Sequence, residues 1–203
     1  MCVSEPLTIH ANKQNLQQLI QHYQQQHRLI KLDELNQYVR SKYVQSLDDV
    51  FNVLALGKDI HGKMYSHQRR LGFKLIKQFV TSLLDLKECI HQAKSFAELY
   101  QILDLHIQNN KNELHGVGKL CLYDSALRIG AYLGHFPEDV YVQSGSEVGA
   151  KKWGLRIENG KVDKKEFPKI ILQQLECYEI EDFLCIYKDQ LNKLNYANNE
   201  EQI

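Results

Sequence analysis

The chain has 203 residues, 43% of them hydrophobic, which is enough for one substantial domain or two small packed lobes. Lysine plus arginine (25) balance aspartate plus glutamate (25), and this argues against binding to nucleic acid by overall charge alone while permitting a local basic patch. No apolar run reaches the roughly 20 residues of a membrane span, no secretory signal opens the chain, and the five scattered cysteines contain no CxxC pair. We therefore predict a cytoplasmic protein with no membrane partner, no metal and no cofactor.

The first half of the chain predicts a series of amphipathic helices. These helices are expected over residues 9–30, 31–43, 47–55, 68–86 and 95–110. Ser46 and Ser95 are suitable N-caps, and Glu98 completes a capping-box pattern three residues after Ser95. Two glycines interrupt the helical period between the third and fourth helices, so residues 57–67 predict a loop.

A tight hairpin is predicted where Gly116, Val117 and Gly118 precede a further helical run over residues 119–133. We expect both glycines to provide a positive φ and close backbone approach. Free backbone N–H groups at such a turn, just before a helix begins, form a phosphate site. The hairpin therefore predicts nucleic-acid binding, and the alternative is an ordinary turn between two packed helices.

The last third of the chain continues the helical pattern. Asn159-Gly160 predicts a turn, residues 166–195 predict two helices, and residues 196–203 are expected to form a frayed tail. An alternating strand pattern is limited to residues 139–143. We predict one all-α domain over residues 1–203.

The segment over residues 114–134, LHGVGKLCLYDSALRIGAYLG, resembles the helix-hairpin-helix motif at Leu114 and at residues 116–118. Residues 140–155 are similar in position and ending to the segment that follows this motif in the helix-hairpin-helix DNA glycosylase superfamily. The resemblance thus covers a hairpin segment over residues 114–155. It implies an all-α, DNA-glycosylase-like architecture with two helical lobes, a cleft between them and the hairpin at its mouth.

The residues that carry base excision in that superfamily are not matched here. The resemblance puts its catalytic aspartate near Tyr141, its bifunctional lysine at Leu120 and its histidine at Gln143. Asp139 lies two residues from the expected carboxylate, and Asp124 lies early in the helix after the hairpin. These two aspartates are the catalytic candidates if a glycosylase activity is present. The alternative for Asp124 is a first-turn acid stabilised by the helix dipole.

Further side chains in the segment are candidates for ligand contact. Lys119, Lys151 and Lys152 are candidates to line a phosphate path, although lysine pairs are often only solvated. Tyr141 and Gln143 are candidates to line a polar pocket for an unstacked base, or are loop surface.

Arg128 follows Asp124 by four residues, and this spacing predicts an ion pair on a helix surface.

The sequence therefore favours a nucleic-acid-binding protein that clamps phosphate through its hairpin without sequence specificity, with DNA as its partner. Two alternatives stay open: a divergent base-excision DNA glycosylase, and a protein-interaction or structural protein that keeps the fold. The sequence does not fix an oligomeric state.

Overall fold

The computed structural model describes residues 13–59, 61–65 and 68–191, and these residues are mostly helical, which confirms the all-α class. The helices are α1 (Lys13–Gln26), α2 (Arg28–Asn36), α3 (Leu47–Leu56), α4 (Gly72–Ser82), α5 (Lys87–Gln92), α6 (Phe96–Asn109), α7 (Lys119–Leu133), α8 (Gly145–Trp153), α9 (Lys169–Leu172), α10 (Cys177–Ile186) and α11 (Lys188–Leu191). Two short strands, β1 (Val140–Tyr141) and β2 (Lys161–Val162), pair antiparallel.

The chain divides into two compact units. Unit 1 combines Met1–Arg28 with Asp139–Ile203, and unit 2 is the continuous stretch Leu29–Glu138. The chain therefore enters and leaves unit 2 once each, with unit 1 built from both ends of the sequence. The prediction of a single domain over residues 1–203 stays a prediction.

Unit 1 is built around α8, which packs against both α10 and α11, and α10 also packs against β1. The apolar face predicted for the first helix is buried in this core, through Leu16, Leu19, Ile20 and Tyr23 of α1. The predicted turn at Asn159 and Gly160 connects toward β2, and both residues have a positive φ, 51° and 77°. Positive φ at both central positions suits the twist of an antiparallel hairpin.

Helix α8 approaches α10 through two glycines. A Cβ atom added at Gly149 lies 2.1 Å from the carbonyl oxygen of Leu184, and one added at Gly145 lies 2.4 Å from Sγ of Cys185. Only a residue without a side chain fits at Gly149, because the nearest atom there is a backbone oxygen, whereas at Gly145 the nearest atom belongs to the Cys185 side chain.

Arg28, the first residue of α2, forms a charged pair with α10. Nη2 of Arg28 donates to Oε2 of Glu179 at 3.2 Å, and Nε of Arg28 lies 2.7 Å from Oε1 of Glu179 in an ion pair. The Glu179 side chain also accepts the backbone N–H of Glu176, which caps α10. Burial raises the pKa of Glu179, and the capping N–H and the Arg28 guanidinium oppose that rise.

Unit 2 is built around α7, which packs against both α3 and α6. Ser46 caps α3 as predicted: its hydroxyl accepts the N–H of Asp49, whose carboxylate accepts the N–H of Ser46 in return. Ser95 caps α6 by accepting the N–H of Glu98, but the Glu98 carboxylate accepts the N–H of Lys94 rather than that of Ser95, which differs from the predicted capping box. The helices predicted over residues 95–110 and 119–133 are therefore confirmed as α6 and α7.

Several helix boundaries differ from the predictions. The second helix already begins at Arg28 and ends at Asn36. The fourth begins only at Gly72, whose φ of 69° does not fit a helix interior, and a 3-10 turn (Leu84–Leu86) and α5 follow it. Three short helices, α9 to α11, replace the two expected over residues 166–195. The predicted tail at 196–203 lies outside the described residues.

We expect Gly149→Ala to destabilise the protein by about 3 kcal/mol, because the added methyl group forces the α8 and α10 backbones apart. Val148→Ala, one residue earlier on the exposed side of α8, is the matched control and should change stability by less than about 0.5 kcal/mol. Chemical denaturation of both variants measures this difference. Equal stabilities for the two variants would contradict the close approach.

Candidate nucleic-acid interface

The hairpin between α6 and α7 is held by its own backbone. The amide of Leu114 donates to the carbonyl of Asn110 at 2.9 Å, and the amide of Val117 donates to the carbonyl of Leu114 at 2.9 Å. Leu114 and Val117 are buried, whereas Gly116 and Gly118 are exposed. The turn therefore buries its two apolar side chains and presents its glycine backbone to solvent.

Helix α4 supports this hairpin from one side. A Cβ atom added at Gly116 lies 3.3 Å from Cδ2 of Leu75 and 3.7 Å from Cδ2 of Leu71. The side-chain amide of Gln78 donates to the carbonyl oxygen of Glu113 at 2.9 Å. These contacts fix the position of the turn relative to α4.

The two hairpin glycines have different backbone conformations. This corrects the expectation that both have a positive φ. Gly116 has φ 104°, in the region that favours glycine. Gly118 is extended, with φ −103° and ψ −177°, and a Cβ atom added there meets nothing within 4 Å. Only Gly116 is required by the backbone conformation, because any residue adopts the extended conformation of Gly118.

Gly118 is the N-cap of α7 and has no side chain with which to cap it. The first amides of an α-helix have no partner within the helix, and the first in-helix bond here runs from the Leu122 amide to the Gly118 carbonyl. Lys119 is exposed at the first position, and the first turn of α7 contains no acidic residue. The start of this helix therefore presents backbone donors and a positive dipole end to solvent.

Asp124 and Arg128 lie one turn apart on α7 as predicted, but they are interior residues rather than a surface pair. Their exposed fractions are 8% and 5%. The reason is that every residue of α7 from Cys121 to Tyr132 is buried, so a polar side chain on this helix has no solvent-facing position.

The Arg128 guanidinium is packed against two tyrosines. Its Cζ atom lies 4.0 Å from the ring centroid of Tyr65 and 5.8 Å from that of Tyr38. Burial alone lowers the pKa of Arg128, but Tyr38 and Asp124 outweigh it and hold that pKa above its usual value. Burial raises the pKa of Tyr38 above its usual range, against the nearby Arg128 charge. The cluster thus keeps Arg128 cationic in the interior of unit 2.

Asp139 lies just before β1 and is paired rather than isolated. Its Oδ2 accepts a bond from Nζ of Lys161 at 3.1 Å, and that Nζ lies 4.5 Å from the ring centroid of Tyr141. Tyr141 is buried and stands opposite Lys161 in the strand register. Burial tends to lower the pKa of Lys161, but bonds with Tyr141 and Asp139 raise it above its usual value.

Gln143 has its polar groups engaged in the interior of unit 1. Its side-chain amide donates to Oε1 of Glu181 at 2.9 Å, and its backbone N–H donates to Oγ of Ser146 at 3.0 Å. The Ser146 hydroxyl donates back to the Gln143 carbonyl at 2.9 Å. The prediction that Tyr141 and Gln143 line a base pocket stays a prediction, and in this conformation both side chains are buried.

Lys151 and Lys152, predicted to line a phosphate path, both form ion pairs in unit 1. Lys151 contacts Glu147 at 2.5 Å, and Lys152 contacts Asp189 at 2.6 Å. Their charges are therefore already compensated by protein carboxylates.

Lys161 and Lys74 were not among the predicted contact residues, although the sequence pattern places each of them near candidate residues or near residues that contact the hairpin. Lys161 follows the Asn159-Gly160 turn, which could have paired it with residues 139–143. Lys74 falls within the predicted fourth helix, three residues after Leu71 and four before Gln78. Leu71 lies near Gly116, and the Gln78 side chain donates to the Glu113 carbonyl.

No family model matches the chain, and no curated protein or solved structure matches it either. Among the described residues, no helix is long and apolar enough to cross a membrane. The described part of the chain also contains no group of three or more histidine, cysteine, aspartate or glutamate side chains arranged to hold a metal ion.

We expect Arg128→Met to destabilise the protein by about 3 kcal/mol, because it leaves the buried Asp124 carboxylate without the guanidinium charge. Asp124→Asn combined with Arg128→Met should recover part of that loss, because both charges are then removed. Urea denaturation of the two single variants and the double variant measures this coupling. Losses below about 0.5 kcal/mol in both single variants would instead fit the surface pair that the spacing suggested.

Proposed function

We propose that this protein binds nucleic acid without sequence specificity, through the hairpin and the first amides of α7. The observation that carries the proposal is the exposed, uncapped start of a 15-residue helix directly after the hairpin. Gly118 leaves open space above these amides, and no acidic side chain of the first turn competes with a ligand.

A phosphate group fits this surface for electrostatic reasons. Phosphate oxygens accept hydrogen bonds from the amides, and the helix dipole places about half a positive charge at this end. Lys119 adds a full positive charge at the first helical position. Because such contacts read the backbone and not the base edges, we expect no preference for sequence.

The proposal includes DNA as the partner and a helix-hairpin-helix architecture similar to that of the DNA glycosylase superfamily. What supports it is the order α6, hairpin, α7, with a positive φ at Gly116 and a buried Val117 between two exposed glycines. The arrangement of two lobes with a cleft stays a prediction.

Gly118→Ala is the diagnostic change for the phosphate clamp. Its methyl group enters open space, so the fold should lose less than about 1 kcal/mol, the usual cost of alanine at an N-cap. The same methyl group stands where a phosphate must approach the amides, so affinity for a labelled duplex should fall about tenfold. Fluorescence anisotropy at two salt concentrations, with thermal denaturation of the same samples, measures both quantities.

Two further variants complete this test. Gly116→Ala should lose stability as well as binding, because φ 104° is strained for alanine and Leu75 is 3.3 Å from the new Cβ atom. Lys119→Ala should reduce the slope of log affinity against log salt by about one. If the unmodified protein shows no salt-dependent binding at low ionic strength, the clamp is excluded. A protein-interaction or structural role then becomes the better account.

A second candidate, a divergent base-excision DNA glycosylase, is favoured by one observation. The carboxylate of Asp139 is held beside Tyr141 by their shared neighbour Lys161, and 49% of the Asp139 side chain is exposed. An exposed carboxylate fixed by a lysine is suited to stabilise positive charge on a sugar or to activate water. Asp124 is less suited, because it is buried beside Arg128.

If the chain is a glycosylase, Asp139→Asn should lower base release by at least about 100-fold while leaving duplex binding unchanged. Glu158→Gln is the matched control, since Glu158 is an exposed carboxylate near the same turn that pairs with Arg156. Single-turnover base release from a panel of lesion-bearing duplexes is the measurement. No release from any lesion by the unmodified protein would rule out this candidate without affecting the binding proposal.

A further inference from the structure

Helix α4 contacts both the hairpin and the last turn of α6 through one face. The Gln78 side chain donates to the Glu113 carbonyl in the hairpin. Ser82 lies one turn later on the same face of α4, and its Oγ atom is 2.7 Å from Nε2 of His106 in the last turn of α6. The His106 side chain can change its charge near neutral pH, which the other three cannot do.

The hydrogen bonds around His106 determine which ring nitrogen carries the proton in the neutral state. The Ser82 hydroxyl has a single proton, which it donates to the carbonyl oxygen of Phe79 at 2.7 Å. The Ser82 oxygen therefore accepts a bond from Nε2–H of His106, and Nδ1 of the neutral ring carries no proton. The side-chain nitrogen of Asn110 donates toward this Nδ1 atom from 3.3 Å.

Asn110 connects the His106 ring to the hairpin. Its Nδ2 atom also donates to the His106 carbonyl oxygen at 2.9 Å, so the amide cannot be reversed without losing this bond. Its own backbone carbonyl accepts the amides of Glu113 and Leu114, at 3.1 and 2.9 Å. The residue that contacts the titrating ring is thus the residue to which the start of the hairpin is hydrogen-bonded.

We propose that His106 is a pH-sensitive contact whose protonation weakens the cap at the end of α6 and, with it, the hairpin. A proton added at Nδ1 sets two donors, Nδ1–H of His106 and Nδ2–H of Asn110, against each other. Asn110 then has to rotate, and it gives up its bond to a carbonyl at the end of α6. The proposal goes beyond nucleic-acid binding and does not depend on it, because the contact belongs to the hairpin itself.

The electrostatic surroundings of His106 give the direction of the effect. Burial lowers the pKa of His106, and the negative charge of Asp85 in the 3-10 turn opposes this lowering without cancelling it. The C-terminal end of α6 also favours a charged ring, while Ser82 of α4 and Asn110 face it without charge. The folded protein therefore takes up this proton less readily than the unfolded chain. The resulting stability is present above about pH 6.5 and is lost as the pH falls from there through the folded pKa.

Amide hydrogen exchange at Leu114 and Val117, corrected for the intrinsic exchange rate, measures the strength of the hairpin. In the unmodified protein, protection of these amides should fall about fivefold between about pH 7.5 and about pH 5.5. His106→Gln retains an N–H donor for Ser82 but cannot be protonated, so its protection should not change with pH. His115→Gln is the matched control, because it removes an exposed histidine of the hairpin and should retain the fall.

Asn110→Asp tests the contact with the opposite sign, and it also provides the test if His106→Gln does not fold. Its carboxylate would accept the protonated Nδ1–H, so the pKa of His106 should rise relative to the unmodified protein, as NMR titration of the ring protons measures. A pKa of His106 that does not rise in Asn110→Asp would overturn the proposal. So would a fall in protection that persists in His106→Gln, or a His106 of the unmodified protein that titrates at or above about 6.5. A failure to bind any duplex would exclude the phosphate clamp and would leave these outcomes unaffected.

Discussion

The burial of α7 on all sides is the constraint on which unit 2 depends. From Cys121 to Tyr132 every residue is in the interior, so the helix cannot tilt or slide without disturbing α3 and α6 together. Gly130 faces both α6 and the chain that follows α7, because a Cβ atom there would lie 3.4 Å from Cδ2 of Phe96 and 2.3 Å from the carbonyl oxygen of His135. A helix held in this way gives its exposed first turn a fixed direction. The proposed phosphate site therefore needs no closing motion, and its donors are oriented before a ligand arrives.

The same burial explains why two charged residues occur inside the protein. Asp124 and Arg128 are one turn apart, and Tyr65 and Tyr38 provide aromatic faces for the guanidinium. A planar guanidinium can stack on a ring and still attract a nearby carboxylate, which a lysine ammonium cannot do equally well. The cluster places strongly directional interactions in a core that is mostly apolar. This is the arrangement expected of residues that specify one packing geometry rather than add net stability.

Local signals in the sequence were enough to predict most of the helices. The caps at Ser46 and Ser95, the glycine turn and the helical period of residues 119–133 all depend on neighbours within a few residues. The burial of Asp124 and Arg128 was not predictable in this way, because it depends on which distant segments cover α7. The same is true of Lys161, whose partners Asp139 and Tyr141 are about 20 residues away. Pairings with carboxylates such as Asp189, which neutralises Lys152, also depend on tertiary structure.

The division of unit 1 between the two ends of the chain has a consequence for biosynthesis. Leu16, Leu19, Ile20 and Tyr23 of α1 pack with residues of α10 such as Ile180 and Phe183. The ribosome releases α1 well before these partners, and the whole of unit 2, Leu29–Glu138, emerges between them as one uninterrupted stretch. Unit 2 can therefore fold while synthesis continues, and the apolar face of α1 stays without these partners until α10 has been synthesised. A ribosome that stalls after residue 138 would leave that face without these partners, and an uncovered apolar helix face is a surface that chaperones bind.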